Sequence, residues 1–294
     1  RQRRLVGAAA GGPTVTVLVT GAGGRLGREV VRVFSDHGPV VGLARQDLDV
    51  TDPEAVREAV AALRPDVILN CAAWTDVDGC ELDPERAHLV NAISVGYLRE
   101  AADEVSAHLV QVSTDFVFDG EADVPYPEDH PTGPLNAYGA SKLAGEALAG
   151  PDASVVRTTW LQAADRPGMV EHVLGQLVGD GSVEVLNDRR ACPTYICDFV
   201  PAVRRLVDQR VGGVVHVTNA GVASWYDIAI AVAQAANIDT NRVVPIGEAD
   251  LEEQRPARRP AYSALDNSVL RTLGHPAVRH HREAVAEVVA RAVC

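Results

Sequence analysis

No stretch of the 294-residue sequence contains the roughly 18 consecutive apolar residues that a membrane-spanning helix needs. Positive charge is also scarce. The chain has 27 basic and 40 acidic side chains, a formal net charge of -13, which excludes the broad electrostatic footprint of a DNA- or RNA-binding protein. A local basic patch remains compatible with a small anionic ligand. Cysteine is sparse and badly spaced for a metal or redox motif. The five are odd in number, and the nearest pairs, Cys71/Cys80 and Cys192/Cys197, stand nine and five apart. They read as reduced thiols of a cytoplasmic protein. With 47% apolar and 23% charged residues, the composition excludes global disorder. The length suits one large domain or two intimate ones. No internal repeat or separating linker is evident.

Residues 1–13, RQRRLVGAAAGGP, hold too short an apolar segment for a secretory signal and read as a disordered leader. From there the pattern alternates. Apolar runs at Val15–Thr20, Pro39–Ala44, Asp66–Asn70, Leu109–Ser113 and Ser154–Thr159 predict strands. Helical spacing follows Val30, Val31 and Phe34, then covers Glu54–Leu63, about Pro84–Val105, and Ala137–Leu148. Asp52 is placed to cap the second of these helices, with Pro53 at its first position. Nearly continuous apolar strands alternating with helices predict an α/β fold: a Rossmann-type doubly wound parallel sheet with helices on both faces.

The second half is less regular. Helices are expected at Val170–Val178, Cys197–Val207, Trp225–Ala236, and near 267–273 and 280–292, with strands at Val183–Leu186 and Val214–Val217 and a loop over 248–262. The expected organisation is a dinucleotide-binding domain over 14–160. Residues 161–294 mainly form a small C-terminal substrate-binding cap, with some segments returning to the first domain.

The first strand runs into Gly21-Ala22-Gly23-Gly24-Arg25-Leu26-Gly27. Glycines after a strand allow a tight turn and close approach of a phosphate, and the following helix offers its N–H groups to a pyrophosphate. The spacing of Gly21, Gly24 and Gly27 is G-x-x-G-x-x-G, so its position after the first strand carries the argument. The second strand ends at Ala44-Arg45, with acids only at Asp47 and Asp49. Arg45 and Arg25 therefore suit the 2'-phosphate of NADPH, while NADH remains possible and Arg45 also reads as a surface charge. Asp49 either approaches the adenine, beside Val50, or simply precedes the next helix.

Tyr138 and Lys142 are four apart at the start of a predicted helix, so they share one face. A nearby ammonium is expected to lower the phenol's pKa and fit Tyr138 for proton transfer. Lys142 would also anchor the nicotinamide ribose. Upstream, Ser113-Thr114-Asp115 ends a strand on the side where α/β sheets present ligands, so Thr114 is placed to contact a carbonyl oxygen. Ala72, Ala73 and Trp74, after the third strand, would touch the cofactor.

With these residues the chain resembles the extended short-chain dehydrogenase/reductase superfamily, and within it the dTDP-4-dehydrorhamnose reductase family. The resemblance spans about residues 15–293 and rests on several motifs in one order. They are the glycine loop, Asp49-Val50-Thr51-Asp52, Asn70 to Asp78, Val90-Asn91-Ala92, Ser113 to Gly120, Asn136 to Glu146, Arg157 to Trp160, Pro193-Thr194-Tyr195, and Arg259-Pro260 leading to Ser263-Ala264-Leu265-Asp266. It implies reduction of the 4-keto group of a nucleotide-linked 6-deoxyhexose by NADPH or NADH. Thr114, Tyr138 and Lys142 fall on the catalytic positions, and Gly24, Arg25 and Leu26 on the phosphate loop. Asp115 and Trp160 fall on sugar-facing positions, although Trp160 also suits a core. Arg259 is a candidate for the sugar nucleotide's phosphates, or forms a salt bridge.

The chain departs from the family where Trp74 and Phe116 replace tyrosines, at Trp160-Leu161-Gln162, and at Asp188-Arg189-Arg190-Ala191-Cys192. These exchanges point to another deoxysugar of the antibiotic, surface-glycan or streptose type. Some members are magnesium-bound homodimers. The acids that hold the ion are not matched here, and no metal is expected because hydride transfer to a carbonyl needs only an electrophilic donor at the oxygen; a homodimer stays possible. Two other readings are kept: an epimerase or dehydratase of the same superfamily, and a non-catalytic subunit resembling the regulator of methionine adenosyltransferase. The first is disfavoured by the absence of a glutamate after Asp115, the second by retention of Thr114, Tyr138 and Lys142.

Overall fold

The structure, a computed structural model, describes residues 15–162, 168–179, 181–251 and 255–293; the leader read at 1–13 lies outside them. Along the chain, β1 (Val17–Thr20) leads to α1 (Arg25–Ser35), β2 (Val40–Leu43) to α2 (Pro53–Leu63), and β3 (Val67–Asn70) to α3 (Val77–Leu82), α4 (Pro84–His88) and α5 (Ser94–Val105). Next come β4 (His108–Thr114), α6 (Ala137–Ala149) and β5 (Ser154–Thr158). The remainder is β6 (Leu161–Gln162), α7 (Met169–Leu177), β7 (Val183–Leu186), β8 (Thr194–Tyr195), α8 (Ile196–Asp208), β9 (Gly213–His216), α9 (Trp225–Ala235), β10 (Val243–Ile246), α10 (Ser268–Thr272) and α11 (His281–Val293).

Six strands form one parallel sheet in the order β2-β1-β3-β4-β5-β9, the doubly wound fold that the alternation predicts. Burial on both faces explains the continuous apolar strands. Val17, Val19 and Leu69 pack with Val30 and Phe34 of α1 and Phe199 and Leu206 of α8. Leu18 and Ile68 turn the other way, onto Val56 and Val60 of α2 and Leu98 of α5. A second core joins α7, α9 and α11 to β7 and β10.

Local chemistry sets the helix boundaries. Asp52 caps α2 as expected, accepting from the amides of Glu54 and Ala55 at 3.0 and 3.1 Å. The single helix expected over Pro84–Val105 is instead interrupted by a π turn at Leu89–Ile93. A separate helix, α3, precedes it. Sequence periodicity does not register one widened turn, because apolar spacing survives on either side of it. Short strands β6, β8 and β10 pair across long separations and carry no local signal. Among the described residues no helix is long and apolar enough to cross a membrane.

The chain steps from β1 outward to β2, then back across β1 to β3. Ligands of open α/β sheets bind at such a reversal, outside the strands' carboxyl ends. Gly21 shows how closely the two loops meet there. Its φ is +65°, and a Cβ would lie 2.6 Å from the Ala72 amide nitrogen. A side chain at 21 is excluded both by conformation and by space.

Candidate active site

The carboxyl ends of β1, β3, β4 and β5 surround a cavity of about 530 Å³. Its wall includes Gly24, Arg25, Leu26, Gly27, Ala72, Ala73, Thr114, Asp115, Tyr138, Lys142 and Trp160. A neighbouring cavity of about 390 Å³ is lined by Gly21, Gly24, Arg45, Asp49, Val50, Ala72, Ala73 and Trp74. The two share Gly24, Ala72 and Ala73 and form one cleft. Arg25 lies on the first wall and Arg45 on the second, so the two cations expected at one phosphate line different parts of the cleft. Arg259 lines neither cavity. Its guanidinium grips Asp78 of α3 through both nitrogens, at 2.7 and 2.6 Å. The salt-bridge alternative describes its position here.

Helix α6 begins where Asn136 accepts from the Gly139 amide at 2.8 Å. Tyr138 therefore sits in the first turn and Lys142 one turn later. The turn presses on the loop after β4 so tightly that a Cβ at Gly139 would collide with the Phe116 carbonyl. That contact brings Tyr138 beside Thr114, whose hydroxyl donates to Asp115 at 3.0 Å and accepts from the Phe116 amide at 3.3 Å. The Phe116 ring meets the Tyr138 ring edge-on, centroids 5.7 Å apart.

Burial shifts the titrating groups of the cleft wall. Burial raises the Tyr138 phenol well above its ordinary value, opposed by the nearby Thr114 hydroxyl. This reverses the sign expected from a neighbouring ammonium. The reason is visible in Lys142, whose Nζ donates to the Val112 carbonyl at 2.7 Å, so desolvation dominates at the phenol. Lys142 is the chain's one lysine. Burial lowers it to about 8, with the Glu146 carboxylate opposing. Asp115 is buried and raised to about 6, again by desolvation. Its Oδ2 has no hydrogen-bond partner among the described residues. The Ser263 and Thr159 hydroxyls stand near enough to moderate the shift without meeting hydrogen-bond geometry. Cys71, in the same wall, is pushed up to about 12 by burial and is an unreactive thiol. The four described cysteines are all free.

Trp160 has a positive φ of 43° and stacks on Trp225, ring centroids 4.0 Å apart. It is both a packing residue and part of the cavity wall.

Other site residues gave little sequence signal. Asn70 ends β3 and accepts from Thr20 Oγ1 at 2.6 Å and the Ala72 amide at 3.0 Å, fixing the loop at the reversal point. Asn91, within the π turn, accepts from the Trp74 amide at 2.8 Å and donates to the Trp74 carbonyl and Ser141 Oγ, both at 3.0 Å. It thereby ties that loop to α6. A polar residue closing an apolar run was the available clue for Asn70; Asn91 stood only within a motif and had no assigned role.

Residues 15–294 match the family described as the RmlD substrate binding domain. A dTDP-4-dehydrorhamnose reductase of Mycolicibacterium smegmatis is 42% identical over 284 residues, covering 94% of this chain and 86% of that protein. The chain belongs to the dTDP-4-dehydrorhamnose reductase family. A second relative, named a probable dTDP-4,6-dihydroxy-2-methyloxan-3-one 4-ketoreductase of Streptomyces antibioticus, is 42% identical over 278 residues, 92% of this chain and 93% of that protein. Among solved structures, the dTDP-4-dehydrorhamnose reductase of Bacillus anthracis in complex with NADP aligns with a TM-score of 0.88 at 30% identity, covering 95% of this chain and 99% of that one. Membership in the dTDP-4-dehydrorhamnose reductase family makes the protein an oxidoreductase. The segment where it departs from the family pattern, Asp188 to Cys192, is tied down by ion pairs of Arg189 with Glu248 and Arg190 with Asp227.

Proposed function

We propose that the protein reduces the C4 ketone of a nucleotide-activated 4-dehydro-6-deoxyhexose, either dTDP-4-dehydrorhamnose or a related antibiotic- or streptose-type sugar. The observation that carries this reading is the convergence of Thr114, Tyr138 and Lys142 on one cavity, with the glycine loop at one end and Asp115 and Trp160 beside it. The named activities of the relatives support the substrate class. The cleft fits a dinucleotide. Gly21 leaves a side-chain-free approach at the strand reversal, and Gly24 to Gly27 open α1, whose N-terminal amides favour a pyrophosphate.

When bound, NADPH (or NADH) supplies the hydride. Thr114, its hydroxyl proton turned from Asp115 to the substrate, and Tyr138 contact the carbonyl oxygen, where negative charge grows and donors help most. Tyr138 holds a proton firmly at neutral pH and gives it to that oxygen. Lys142, mostly cationic at pH 7, holds the ribose and offsets the phenolate left behind. Asp115, in the cavity wall, accepts a sugar hydroxyl.

The test follows NADPH and NADH absorbance with dTDP-4-keto-6-deoxyglucose, alone and with a 3,5-epimerase. Oxidation only with the epimerase identifies an L-configured substrate, and oxidation without it a D-configured one. No oxidation with this or any other nucleotide-linked 4-keto sugar overturns the reading.

Asp115 gives the reaction a pH signature. Its pKa is raised to about 6 from an ordinary 3.8, so the carboxylate exists above pH 6 and is lost as the pH falls through that value. Sugar kcat/KM is expected to decline below pH 6. Asp115→Asn should raise KM by about tenfold and flatten that acid limb. An unchanged profile in the variant would remove Asp115 from sugar binding.

A further inference from the structure

The second cavity holds two guanidinium groups that form no salt bridge among the described residues, Arg45 after β2 and Arg86 on α4. Arg86 had no assigned role in the sequence. Its guanidinium lies over the Trp74 ring, 4.4 Å from the centroid. A cation over an indole face is favoured there, and the Arg86 guanidinium makes no hydrogen bond among the described residues, so its N–H donors stay available. Asp49, whose carboxylate feels the Arg45 charge, makes no salt bridge with it, and its Oδ1 accepts from the Thr51 amide at 3.0 Å and Thr51 Oγ1 at 2.7 Å. Apolar Val50 and Val90 line the same cavity, so a flat base can sit beside the cations. In a chain of net charge -13, an anion approaching this end of the cleft depends on such local cations.

We propose that Arg86, held against Trp74, acts with Arg45 to select the 2'-phosphorylated dinucleotide over its unphosphorylated counterpart. This rests on reading the cleft as a dinucleotide site. A 2'-phosphate adds a charge of about -2, which gains from both guanidinium groups. The unphosphorylated ribose offers only a hydroxyl.

The experiment measures binding without sugar, by calorimetry and tryptophan fluorescence, using NADP+ and NAD+. The wild type is expected to bind NADP+ at least about tenfold more tightly. Arg86→Gln should weaken NADP+ by about tenfold and NAD+ by less than about twofold, and Arg86→Lys should recover part of the loss. Arg86 is exposed, and an unchanged melting temperature would verify that each variant is folded. Equal losses for both ligands would mean that Arg86 supports the base and does not read the phosphate, which overturns the proposal. No loss for either, or a wild type preferring NAD+, would also overturn it. A wild type that binds neither dinucleotide defeats the cofactor reading and this inference together. Selective NADP+ binding without ketone reduction leaves the inference standing and removes only the substrate assignment.

Discussion

Replacing Tyr138 with phenylalanine is expected to cut kcat by roughly 100-fold or more while leaving the fold intact. The ring carries the packing. It lies against Cys80, Ala87 and Phe116, and phenylalanine keeps all of that contact. What is lost is one hydroxyl beside Thr114. Because burial holds the phenol above its ordinary pKa, the group is fully protonated at pH 7 and available as a donor. The nascent alkoxide is a strong base, so a donor with a high pKa still transfers its proton as the charge develops. Thr114 remains in the variant, and on the proposed mechanism its contact with the carbonyl leaves residual turnover. Stopped-flow or steady-state cofactor oxidation measures kcat, and circular dichroism and melting temperature verify the fold. Near-wild-type turnover in a folded variant would exclude Tyr138 as the donor.

The largest stability effect is expected at Arg157. This arginine and Glu146 form a buried pair, with side chains 5% and 7% exposed and two hydrogen bonds of 2.8 and 2.7 Å. Ser113 adds a third contact, donating to the same carboxylate at 2.5 Å. Glu146 lies one helical turn beyond Lys142, and Ser113 immediately precedes Thr114, so the pair ties α6 to β4 and β5 directly behind the cavity. Arg157→Met leaves a buried carboxylate without its cation, which costs about 3–5 kcal/mol. For a chain of this size that corresponds to a fall in melting temperature of roughly 10 °C. The double variant Arg157→Met/Glu146→Met should recover most of the loss, because the cost comes from the unpaired charge and not from the absence of the pair. Scanning calorimetry of the single and double variants tests this. A drop of equal size in both would mean that the pair itself supplies the stability.

Much of this protein was legible in its sequence because the relevant signals are local. A buried parallel strand requires a continuous apolar run, and a turn at the strand end requires glycine. A helix start requires a cap such as Asp52. These placed β1 to β5 and α1, α2 and α6 within a few residues, and the order of motifs at the strands' carboxyl ends placed Thr114, Asp115, Tyr138 and Lys142 on one side of a parallel sheet. The tertiary structure decided what depends on distant neighbours. Arg259 pairs with Asp78 across 181 residues, away from the cleft. Arg86 finds Trp74 only because α4 folds back over the loop after β3. The widened turn at Leu89–Ile93 exists where Asn91 bonds to that loop and to α6. The phenol's pKa moves up because burial, opposed by the Thr114 hydroxyl, is its largest cause, and burial is a sum over the whole fold. Periodicity reports which face of an element is covered; which partner covers it, and how dry the site becomes, is set by contacts that close only when the chain is folded.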